Sequence, residues 1–171
     1  MKIFPVRGSP RTAMLAASLL APVCVVAHGP HEHGAATLSV ALDETRLEAT
    51  LVAPADSIVG FEHAPRDDAE RAALAHATAL LDTPARWIVP AADAQCVSEP
   101  GSASFDRDGD HANVTARAIW QCAKPAALTT LDLPLFAAFP RLERVTADLV
   151  LPDRQDSRTL TPHAARLTLA P

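Results

Sequence analysis

Residues 37–51 read TLSVALDETRLEATL. Leu38, Val40 and Leu42 alternate with Thr37, Ser39 and Ala41, and Leu47, Ala49 and Leu51 alternate with Arg46, Glu48 and Thr50. Period-two alternation places one set of side chains on each side of a strand. Asp43, Glu44 and Thr45 are a turn-length connection, so the stretch predicts a hairpin with one buried face.

Downstream of this hairpin, Pro54 and Gly60 predict an irregular stretch, followed by helical spacing over residues 64–82. Asp67 with Glu70 makes a capping box, acidic residues suit the positive end of the helix dipole, and Pro84 stops the helix. Ala73, Leu74, Ala77, Leu80 and Leu81 form one narrow apolar stripe that predicts packing on the sheet. Val114 to Cys122 alternates again. Asp108-Gly109 is a hairpin turn signal midway between Cys96 and Cys122, which sets the two cysteines opposite each other at the base of a long hairpin. Pro100 and Gly101 predict that the upper part of that hairpin is loop. Residues 128–142 suggest a short helix bounded by prolines, Val145 to Leu151 a strand, and Leu160, Leu167 and Leu169 one or two more. The expected fold is α+β: an antiparallel sheet built from hairpins, with one longer and one short helix packed on it.

Upstream, Lys2, Arg7 and Arg11 precede an apolar run from Ala13 to Ala27, and Val25 and Ala27 suit a cleavage site. This is the pattern of a secretory signal peptide over residues 1–27, too short and too interrupted by Pro22 for a bilayer span. Residues 28–171 then form a single domain outside the cytoplasm, with no membrane span. Removing three positive and no negative charges takes the formal net charge from −5 to −8, which repels nucleic acid and attracts divalent cations. Cys24 leaves with the leader. Cys96 and Cys122 remain as an even pair in an oxidising compartment, and a structural disulfide between them is expected.

The densest chemistry is HGPHEHG, residues 28–34. His31 and His33 stand two apart, so an extended segment points both imidazoles the same way. After cleavage His28 adds an imidazole and a free amine. With an amine or Glu32, the three histidines satisfy tetrahedral zinc or tetragonal copper(II), since neutral imidazole is the commonest metal ligand. The competing reading is a solvated arm, because ordering a free terminus costs about 1 to 2 kcal/mol per residue. In GFEHAP, residues 60–65, His63 is a further candidate beside Glu62; the alternative is a loop anchored by Phe61 in which both polar residues make hydrogen bonds. FDRDGDHAN, residues 105–113, offers Asp108, Asp110 and His111 at the hairpin tip. Its alternate aspartates depart from a calcium loop, whose twelfth position requires glutamate where Arg117 stands. No hydrolase, metalloprotease or phosphate-binding signature occurs, so no enzyme is expected.

Three segments together resemble the ZrgA-like family of zinc-regulated periplasmic zinc-binding proteins: HEHGAATLSVAL at 31–42, LVAPADSIVGFEHAP at 51–65 and CAKPAALTTLDLPLFAAFPRLERVTADLV at 122–150. The resemblance extends from His31 to about Leu169. It implies a periplasmic protein that binds zinc and assists a zinc importer of the ABC type, without catalysis. Family members carry a long histidine- and aspartate-rich insert between the two cysteines, where most of their expected ligands lie. In this chain it has shrunk to DRDGDHAN. Two further readings are an envelope interaction module without high-affinity metal, and a periplasmic copper-binding protein that uses His28 as its mature amino terminus.

Overall fold

The computed structural model describes residues 32–109 and 111–169; the expected leader and its cleavage site lie outside them. Strands β1 (Ala35–Asp43) and β2 (Arg46–Pro54) make the predicted hairpin, with Thr37 opposite Val52 and Asp43 opposite Arg46. The helix α1 (Ala55–Val59) follows directly, where only an irregular stretch is expected. Five residues are too few to show a helical period, so α1 is held by burial of Ala55, Ser57 and Ile58.

The long helix α2 runs Asp68–Leu81, capped as predicted: Asp67 Oδ1 accepts from the Glu70 amide at 2.8 Å, and Glu70 Oε2 accepts from the Arg66 amide at 2.7 Å. Only the carboxy-terminal part of the predicted stripe is inserted. Ala77, Leu80 and Leu81 are buried, Leu74 is half-buried and Ala73 is exposed, so the helix rests on the sheet by its last turns.

Beyond α2 come β3 (Val89–Pro90), β4 (Cys96–Ser98), β5 (Ser102–Asp108) and β6 (His111–Cys122). Cys96 stands opposite Cys122, and the two form the expected disulfide. The expectation of a loop in the upper part holds only at Pro100 and Gly101 and is corrected beyond them. Residues Ser102–Asp108 pair with β6 up to the turn, Asp108 opposite His111. Residues 99–101, with Pro100 and Gly101, leave the ladder and separate β4 from β5; between the Ser98–Trp120 and Ser102–Arg117 pairs this side has one residue more than β6, and pairing then resumes.

The chain continues through β7 (Thr130–Asp132), α3 (Leu135–Ala138), β8 (Arg144–Leu151), β9 (Arg154–Leu160) and β10 (Arg166–Thr168). The large sheet has the order β4-β6-β2-β1-β8-β9, with β5 also on β6, and a small sheet has the order β10-β7-β3. Among the described residues all strand pairs are antiparallel except β1 with β8, which is parallel. Alternation cannot show this, because it marks faces and not directions. One face of the large sheet is the core: Leu38, Val40, Leu47, Leu51, Ala116, Trp120, Val145 and Leu149 are all buried. The fold is therefore α+β and sheet-dominated, with three α-helices among the described residues instead of the expected two. Among the described residues no helix is long and apolar enough to cross a membrane.

In the small sheet Arg166 grips the facing Asp132 through two bonds, Nε to Oδ1 at 2.6 Å and Nη2 to Oδ2 at 3.2 Å. Donation from Arg166 lowers the Asp132 pKa, against a weaker opposing effect of desolvation. A depressed carboxylate pKa contributes stability above the unfolded value of about 3.9, lost as pH falls through the lower folded value. Both side chains are largely exposed, so the contribution is small. Carboxyl-detected NMR should show Asp132 titrating below ordinary aspartate, and Arg166→Ala should bring it back to that range.

Candidate metal centre

The amino-terminal motif is anchored by Gly34, whose φ of +79° suits a residue without Cβ. Its amide donates to the buried Ser57 Oγ at 2.9 Å, and its carbonyl accepts from the Glu143 and Arg144 amides at 2.7 and 2.9 Å. The backbone at this point is thus clamped between α1 and the start of β8. The clamp brings His33 to Asp56, with Nδ1 3.1 Å from Oδ2. An ionised carboxylate only accepts, so Nδ1 carries the hydrogen and, in the neutral ring, Nε2 carries the lone pair. This is the arrangement in which metal-binding histidines are oriented, an acceptor on one nitrogen and the other offered to the ion. The His33 side chain is 61% exposed, so an ion can reach it from solvent.

Glu32 has a different partner. Its Oε2 lies 2.5 Å from Arg144 Nη2, so an ion held by Glu32 would compete with that guanidinium. Arg141 comes within 4.0 Å of Asp56 Oδ1 and passes over Gly60, where an added Cβ would lie 3.1 Å from Nε. Gly60, at φ +89°, also closes α1 by donating to Asp56 O.

The GFEHAP loop is anchored by buried Phe61, against which the His63 ring stacks at a centroid distance of 5.2 Å. His63 Nδ1 bonds to Ala64 O at 3.0 Å and lies 3.6 Å from Glu70 Oε2, which ties the loop to the cap of α2. Glu62 turns elsewhere, as adjacent residues on an extended chain do. Its Oε2 accepts from His111 Nδ1 at 3.0 Å, across 49 residues of sequence. The hairpin tip and the loop after α1 therefore meet, bringing together two segments that spacing alone leaves apart.

Of the residues singled out in the sequence, His33, His63 and His111 are each held by an acceptor at Nδ1. His28, His31 and Asp110 lie outside the described residues, and Asp108 is described only through its backbone at the end of β5. His76 and His163 are on the surface. Among the described residues no three His, Cys, Asp or Glu side chains converge on one point. The acceptors Asp56, Glu62 and Glu70 were not among the expected ligands. Glu62 was legible as a neighbour of His63, whereas nothing in the sequence links Asp56 to a histidine 23 positions earlier.

The mixed sheet thus carries imidazole–carboxylate pairs at Asp56 in α1, at Glu62 just after it and at Glu70 in α2. A family model described as ZrgA family zinc uptake protein matches residues 30–169. The chain belongs to that family. The match spans the HxHG opening from His31, both cysteines and every described histidine. A comparison with curated proteins finds no match.

Proposed function

We propose that the protein is exported to the periplasm, binds zinc there without catalysing a reaction, and assists zinc acquisition by an importer of the ABC type. Membership of a zinc uptake family supports the metal and the process. The observation that carries the binding site is the His33–Asp56 pair, which presents Nε2 of an exposed imidazole from a rigidly clamped backbone. His31, two positions earlier, and His28 supply further nitrogen ligands, and three nitrogens with an open fourth position suit zinc that is to be passed on. Protons compete for the same nitrogens, so acid releases the ion.

Calorimetric titration of the mature chain with zinc tests this reading. His31→Ala with His33→Ala should weaken binding by about 100-fold or more. Asp56→Ala, which leaves the ligands in place and frees the ring to turn, should cost about tenfold or more. Equal affinity in all three proteins rejects the assignment. No binding tighter than about 0.1 mM, the range of weak extracellular modules, would instead favour an envelope interaction module. Mass spectrometry of the secreted amino terminus decides whether His28 has the free amine that a copper site needs.

A further inference from the structure

The residues that alternate with the core along β1, β2, β6 and β8 make up the outer face of the large sheet. Threonine, serine, alanine and valine dominate it, and such short side chains leave the face flat. Among the described residues the large apolar side chains open to solvent are Val52, Val97 and Val150, and the register puts all three on this face. Its central charges nearly cancel, Arg46 and Arg117 against Asp43, Glu48 and Asp148, although the chain without its leader carries −8. A near-neutral face with exposed valines on a strongly acidic protein is where another surface can approach without charge repulsion.

Residues directly opposite one another in the ladders define rows across the face. One row runs Arg117, Thr50, Ser39, Asp148 through β6, β2, β1 and β8. The next runs Ile119, Glu48, Ala41, Val150, and beyond it Arg46 of β2 stands beside Asp43 of β1. A twofold axis parallel to the strands, lying over the face between β1 and β2, sets β1 against β2 and β6 against β8 of a second copy and keeps each row on itself. Arg117 then meets Asp148 of the second copy, Ile119 meets its Val150 and Arg46 meets its Asp43, and symmetry makes each contact twice. Asp148 accepts from Ser157 Oγ at 2.8 Å, but among the described residues neither it nor Asp43 takes part in an ion pair. The matched positions are thus the face's uncompensated carboxylates and its exposed apolar groups.

We infer that this outer sheet face is a self-complementary interface at which two copies of the chain pair face to face about that axis. The main path of the sheet has six strands. At strand spacing, with four outward rows, the face measures roughly 29 by 27 Å, close to the roughly 800 Å² per partner of a standard stable interface. Sheets packed in this way cross at about 30°, so the matches hold best in the strands nearest the axis, β1, β2, β6 and β8. With threonine and serine between the charged and apolar matches, the interface is polar and the dimer dissociates reversibly. The pairing needs no metal.

Sedimentation equilibrium of the mature chain in a chelator, from about 1 μM to about 1 mM, tests this over the range where a moderate interface dissociates. The mass should double across that range. Arg117→Asp and Asp148→Arg should each weaken pairing by about tenfold or more, because one reversal breaks both symmetric contacts and sets like charges together. A chain carrying both substitutions exchanges the charges and should recover most of the affinity. In the unsubstituted protein, dilution should shift the amide NMR signals of Ser39, Thr50, Arg117 and Asp148 and leave those of α2 in place, a readout that does not depend on any variant folding. A monomer at every concentration, a dimer indifferent to both reversals, no recovery in the doubly substituted chain, or dilution shifts confined to other surfaces would each overturn the inference.

Discussion

Trp87→Ala lowers the unfolding free energy by about 3 to 5 kcal/mol, the cost of emptying a large aromatic site in a packed core. Trp87 has no exposed surface, and its Nε1 donates to Leu81 O at 2.9 Å. Leu81 is the last residue of α2, where carbonyls lack partners within the helix. The indole therefore fills the space beneath the helix end and satisfies one of those carbonyls at once. Trp87→Phe separates the two contributions, since it keeps most of the ring and removes the donor. It should cost about 1 to 3 kcal/mol, the cost of leaving a buried acceptor unpaired. Urea unfolding followed by circular dichroism measures both variants. If Trp87→Ala costs less than about 1 kcal/mol, the helix end is not held in this way.

Replacing both Cys96 and Cys122 with alanine should cost about 3.5 kcal/mol, from the loop-closure entropy of a cross-link spanning 26 residues. For a domain of this size that is a fall in Tm of about 10 °C. The effect should stay local. Cys122 and His111 terminate the same strand, eleven residues apart, which at strand rise is about 36 Å. The Glu62–His111 contact at the other end should therefore be unchanged in folded, disulfide-free protein. Thermal unfolding with and without a reducing agent measures the first effect and imidazole NMR of His111 the second. A changed His111 signal without loss of folding would show that the two ends of β6 are coupled.

Legibility in the sequence followed the range of the interaction. The β1–β2 hairpin, the Asp67–Glu70 cap and the disulfide pairing were predictable because alternation, capping and turn chemistry act over a few residues, or over a hairpin whose turn is marked. Helix α1 was not, because five residues carry no period. The return to pairing at Ser102 was not, because Pro100 and Gly101 mark a break and do not say where it ends. Parallel pairing of β1 with β8 depends on where the chain returns after α3, and no pattern within either strand records that.

By itself the sequence determined the faces of the main strands, the course of α2, the Cys96–Cys122 pair and the histidine-rich character of the chemistry, since each is written in the order of neighbouring side chains. Only the tertiary structure decided which carboxylate each described histidine meets. Asp56 reaches His33 and Glu62 reaches His111 because α1 is packed between the incoming chain and the hairpin tip, and packing is a property of the whole sheet and not of any segment in it.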